Sequence, residues 1–177
     1  MRTPQEELLL QISLCRNRIK NETCSKIVHN QKCNPLHLPE PWSGDLKNAK
    51  ILFLGSNPSY NCHEDYPTAD TNPDEIIDFF LNRFSKYSTK ELYPKMKKGY
   101  EKEKKWVRFW AGVRARANEL SPDKTLVLGR DIVISELVHC KSKSEKGVKE
   151  AADARAQACY EPSKLINYLH IEALRVD

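Results

Sequence analysis

Two short apolar runs constrain this chain most. Residues 50–55 read Lys-Ile-Leu-Phe-Leu-Gly, and residues 132–138 read Ile-Val-Ile-Ser-Glu-Leu-Val. A short continuous run of this kind is the pattern of a buried strand. Helical patterns lie between the two and beyond the second. Strands alternating with helices predict an α/β fold with a parallel sheet. With 177 residues, the chain is long enough for one compact domain but not comfortably for two.

The first helix is announced by its cap. Thr3 at the N-cap, Pro4 at the first helical position and Glu6 three residues after Thr3 form a capping box. Leu8, Ile12, Cys15 and Ile19 follow at helical spacing, which puts Cys15 on the apolar face. Residues 21–48 read as irregular, broken by Pro35, Pro39, Pro41 and Gly44, and such a segment needs something to hold it down. A metal centre would serve. After the first strand a polar loop runs to about Asn72, then a helix begins near Asp74 with Ile76, Phe80 and Phe84 on one face. Trp106, Trp110, Val113, Ala117 and Leu120 form an amphipathic stripe, so both tryptophans are read as core. Two further helices are expected, through Ala151 to Cys159 and from Lys164 to Arg175.

Charge is located rather than spread. The net charge is +5, yet residues 86–116 alone hold eleven basic and three acidic side chains. Tyr87, Tyr93, Tyr100, Trp106, Phe109 and Trp110 lie among them. Basic side chains interleaved with aromatics suit a nucleic-acid backbone, and equally a solvated helix face. No apolar run approaches the roughly 18 residues of a membrane helix. The N-terminus carries acids where a signal peptide has its basic region, so a cytoplasmic protein without a membrane role is expected.

Six cysteines, at positions 15, 24, 33, 62, 140 and 159, are many for such a protein. In a reducing compartment they favour metal binding over disulfides. There is no Cys-x-x-Cys pair, so no zinc ribbon or thioredoxin-type site is signalled.

In an open α/β sheet, ligands bind beyond the carboxyl ends of the strands. Here those ends carry Gly55-Ser56-Asn57-Pro58-Ser59 and Glu136-Leu137-Val138-His139-Cys140-Lys141. The first lacks the Gly-Lys-Ser/Thr of a phosphate loop and the glycines of a dinucleotide fingerprint. The pair of segments, with Pro41-Trp42-Ser43-Gly44 upstream, resembles the uracil-DNA glycosylase superfamily, nearest in cysteine layout to its iron–sulfur families. The resemblance spans about residues 24–177. It implies a three-layer α/β/α domain with a short parallel central sheet, and a base-excision function: hydrolysis of the N-glycosidic bond to a deaminated base in DNA.

On that resemblance, Asn57 positions the attacking water, while Gly55, Ser56 and the backbone near Tyr60 floor a pocket for an extruded base. Tyr60 or Tyr66 supplies an aromatic wall. Cys24, Cys33, Cys140 and Cys159 are the expected ligands of a structural 4Fe-4S cluster, with zinc as the alternative and Cys15 in reserve for Cys24. Cys62 has no counterpart and is read as a free thiol. DNA with a damaged base is the expected partner of a monomer.

Two features depart from the family pattern. Glu136 stands where a base-reading asparagine is expected, and an ionised carboxylate only accepts hydrogen bonds. It reads a different base edge, or it pairs with a lysine such as Lys141 and reads nothing. No His-Pro-Ser motif follows, so the chain matches the front part of such a domain, and little or no excision is expected from these residues alone. The competing readings are a non-catalytic nucleic-acid-binding protein of the same fold and a zinc-bound structural module.

Overall fold

The computed structural model describes residues 1–16, 22–29 and 31–143. The helices expected around Cys159 and Lys164 lie outside these. Helix α1 spans Pro4–Ser13 and carries the expected capping box: Thr3 accepts from the Glu6 amide at 3.3 Å, and Glu6 accepts from the Thr3 amide at 2.7 Å. It ends earlier than the apolar spacing suggests. Leu14 caps it, so Cys15 falls beyond the helix and is not on its apolar face. Helix α2, Glu22–His29, occupies part of the segment read as irregular.

Among the described residues three strands form the main sheet, in the order β1–β5–β2, from Trp42–Ser43, Ile132–Glu136 and Ile51–Gly55. β2 and β5 are parallel, in register from Ile51 opposite Ile132 to Gly55 opposite Glu136; β1 runs antiparallel on the other side of β5. The mixed α/β class and the parallel pair are as the sequence implies. Central β5 is buried throughout, whereas β2 is only partly covered and its Leu54 is 51% exposed.

Alternation along the strands divides the core between the two faces of the sheet. Val133 and Leu52 pack with Leu9 and Leu10 of α1 and with Ile76, Phe79 and Phe80 of α3, Pro73–Leu81. Ile132, Ile134, Ile51 and Phe53 pack with Trp110, Val113 and Ala117 of α4, Arg108–Leu120. α3 starts where Asn72 accepts from the Asp74 amide at 2.9 Å and Pro73 takes the first helical position. Between α3 and α4 lie a small hairpin, β3 (Ser88–Thr89) with β4 (Tyr93–Pro94), and a single 3₁₀ turn at Glu101–Glu103.

Trp106 corrects the reading of the second stripe. It precedes α4, whose N-cap Val107 is extended, so it leaves the helical period and stands 51% exposed while Trp110 is buried. Among the described residues no helix is long and apolar enough to cross a membrane.

The segment before β1 is held to β5 and to the loop that follows it by polar clasps. The Gln31 carboxamide donates to Lys141 O at 3.1 Å and accepts from the His37 amide at 2.9 Å. Ser135 donates to Pro41 O at 2.6 Å, and the Glu40 amide donates to His139 O at 2.8 Å. Each satisfies a buried polar group that would otherwise cost about 1–3 kcal/mol.

Candidate nucleobase cleft

Because β2 and β5 are parallel neighbours in register, their carboxyl ends emerge side by side. Their loops run on together: the Leu137 amide donates to Gly55 O at 2.9 Å, Val138 to Ser56 O at 3.1 Å, and Ser142 to Pro58 O at 3.1 Å. Asn57 ties the loops further. Its Nδ2 donates to Val138 O at 3.3 Å and to Cys140 O, and its Oδ1 accepts from the Ser142 hydroxyl. The amide is fixed by three bonds, which leaves one lone pair on Oδ1.

These loops border a cavity of about 620 Å³. Gly55, Ser56, Asn57, Tyr60 and Glu136, five residues singled out from the sequence, line it together. The Glu136 carboxyl lies directly over Gly55: a Cβ there would sit 2.1 Å from Oε2, so a side chain at this position would have to move that carboxyl. At the mouth, Lys105, Trp106, Arg108 and Phe109 bring two cations and two exposed rings to the same opening.

Tyr66 is not part of this cavity's lining. Its ring is buried against His37 at 4.8 Å and its hydroxyl donates to Glu40 at 3.2 Å, so the aromatic wall expected of it falls to Tyr60 and Trp106.

The inner wall is a buried charge network that the sequence reading missed. Lys141 donates to Glu40 Oε2 at 2.6 Å, and Arg83 donates to Glu64 Oε1 at 2.7 Å with Glu40 Oε1 at 3.9 Å. Arg83 also lies over the rings of Tyr66, Phe79 and Trp110, at 5.0, 4.9 and 5.1 Å. Burial alone would raise the Glu40 pKa, but Lys141 and Arg83 outweigh it and hold the carboxyl down at about 2. Glu136 is left out of this pairing. Burial first, then the Glu40 charge, push its pKa up to about 8 against a smaller pull from Lys141. The alternative that Glu136 pairs with Lys141 therefore fails, because Glu40 takes that lysine. A signal was present: Arg83 sits among Phe79, Phe80 and Phe84, a lone charge on an apolar face.

Two of the cysteines, Cys33 and Cys62, are placed otherwise than expected. Cys33 is bonded to Cys62, so Cys62 is not a free thiol and Cys33 offers no thiolate in this covalent state. Both sulfurs lie within 3.5 Å of the Gln31 carbonyl oxygen, where the chain turns back toward the loop after β2. Cys24 and Cys140 are both buried, and Cys140 packs against Ile27 and Val28 of α2. Cys159 lies outside the described residues. Among the described residues no group of three or more His, Cys, Asp or Glu side chains is placed to hold a metal, and no step is derived through one.

No family model, curated protein or solved structure matches the chain.

Proposed function

We propose that this protein is a nucleic-acid-binding hydrolase of the uracil-DNA glycosylase type, with the three-layer fold of that superfamily. Its reaction is hydrolysis of the N-glycosidic bond of a deaminated base in DNA. One observation supports this reading above the others. The in-register pairing of Gly55 with Glu136 sets both sequence motifs around one cavity, whose mouth carries Lys105, Trp106, Arg108 and Phe109. A cavity of about 620 Å³ is of ligand size. Rings beside cations at its entrance suit bases that stack and phosphates that need neutralising.

In this reading a base leaves its stack and enters between the two loops. Asn57, held rigid by its three bonds, uses its remaining Oδ1 lone pair to orient a water against the sugar carbon. Such positioning supplies a large part of the barrier reduction in a dissociative path. The base departs with the electron pair of its broken bond to the sugar, the water's oxygen takes its place on that carbon, and the proton that water loses passes through solvent to the departed base.

The same three bonds favour a second reading, a binding protein without chemistry in which Asn57 serves as a clasp between loops. Oligonucleotides carrying uracil or hypoxanthine, treated with alkali after incubation, separate the two. Strand breaks that vanish in Asn57→Ala, even at the low level expected without a leaving-group histidine, support the hydrolase. Tight binding without breaks supports the second reading, and absence of binding removes both.

A further inference from the structure

Among the described residues, three buried carboxyl groups and two buried cations line the cavity: Glu40, Glu64 and Glu136 against Arg83 and Lys141. The geometry allocates the cations. Lys141 is committed to Glu40 and Arg83 to Glu64, both at hydrogen-bond distance. The Glu136 carboxyl makes no hydrogen bond to any described residue, although it is only 6% exposed and faces the open space of the cavity. A buried carboxylate left without a cation takes up a proton instead. Among the described residues, Lys105, Arg108 and the Tyr60 phenol are the other charged or titratable side chains lining the cavity.

We propose that Glu136 is the edge-reading group of the cleft and reads in its neutral form, pairing with a lactam edge in which a ring N–H stands beside a carbonyl oxygen. This rests on the reading of the cavity as a base pocket and names the chemistry that the pocket takes. A neutral carboxyl has one O–H donor and one carbonyl acceptor side by side, the pattern an asparagine amide offers. Its O–H donates to the base carbonyl and its C=O accepts from the ring N–H. Uracil and hypoxanthine both present that edge. The ionised form has only acceptors and faces the base carbonyl with like charge. The departure from asparagine is thus compensated by protonation, and the burial that raises Glu136 to about pKa 8 makes the neutral form dominant at neutral pH.

The test uses the full chain and two single-stranded oligonucleotides of the same sequence. One carries 2′-fluoro-2′-deoxyuridine, whose glycosidic bond resists hydrolysis; the other carries an abasic analogue at that place. The ratio of their dissociation constants measures base reading apart from strand binding. Between about pH 6.5 and 9 the preference for the uracil strand should fall about tenfold. In Glu136→Gln, whose amide supplies donor and acceptor at every pH, the preference should persist and stay flat. An equal fall in Glu136→Gln, or a flat wild-type profile, overturns the proposal while leaving strand binding intact. Failure of both strands to bind overturns the base-pocket reading itself. Infrared spectra give a second measurement. A protonated-carboxyl band should be present at the lower pH, lost at the higher and absent in Glu136→Ala; a spectrum without that band at the lower pH contradicts the proposal.

Discussion

Gly55 and Glu136 face each other across the parallel ladder, and the Glu136 carboxyl occupies the place a Gly55 side chain would take: Oε2 lies 2.1 Å from where a Cβ would be. The end of one strand thereby sets the position of the acid on the cavity wall that, among the described residues, has no cation beside it. A methyl group at Gly55 must displace that carboxyl. Gly55→Ala is expected to cost about 1–3 kcal/mol, as overpacking does, and to abolish preference for a base-bearing strand. The double variant Gly55→Ala/Glu136→Ala should be clearly more stable than the sum of the single changes, read by denaturant unfolding. Additive losses would show that the two do not compete for one space.

Glu136 also makes stability depend on pH with a definite sign. Its pKa is about 8 in the folded chain and near 4.5 in the unfolded one. Between those values the folded state holds a proton that the unfolded state has released, so stability falls as pH rises and the loss is complete above about pH 8. Thermal unfolding should therefore show Glu136→Gln gaining on the wild type, by a few kcal/mol, as pH goes from about 5 to 9. His37 pulls the other way, since burial first and then Lys141 depress it to about 3 and protonation of the unfolded state costs stability below pH 6.5. It is present in both proteins and cancels in the difference. A constant difference across that range would contradict the neutral Glu136.

The Glu40–Lys141 pair joins the segment before β1 to the loop after β5 and excludes Lys141 from Glu136. Removing one partner leaves a buried charge alone. Lys141→Met is expected to cost about 3–5 kcal/mol, whereas Lys141→Met with Glu40→Leu should recover much of that. Urea unfolding of the two variants checks it. A single variant as stable as the double would show that the pair is not buried as described.

Trp106 is the exposed one of the chain's three tryptophans, Trp42 and Trp110 being buried. Stacking on a base is worth about 1–3 kcal/mol, so Trp106→Ala should weaken single-strand binding roughly 5- to 150-fold. Its own stability should change by less than about 0.5 kcal/mol. Fluorescence quenching on adding an oligonucleotide should be lost in the same variant. Quenching that survives would place the strand elsewhere.

What the sequence made legible is the part dictated by short-range pattern. Continuous apolar runs fix β2 and β5, and parallel neighbours bring Gly55, Asn57 and Glu136 to one end of the sheet. Long-range pairing was not legible. Nothing local to Glu40 points to Lys141, 101 residues away, and cysteine spacing does not give the Cys33–Cys62 connection. Trp106 was misread because the helical period continues backward past a helix start that has no capping side chain to mark it. Cys15 was misplaced for the matching reason at the other end of α1: the stripe continues past the helix's last residue, Ser13.

Photocross-linking tests most directly whether a base occupies this cleft. An oligonucleotide with a single 5-iodo-2′-deoxyuridine, irradiated with the protein and digested, reports which side chains touch that base. Cross-links at Tyr60, Trp106 or Phe109, reduced by an excess of unlabelled uracil-bearing strand, are the predicted result. Cross-links confined to peptides away from the Gly55–Glu136 cavity, such as those of α1, would contradict it.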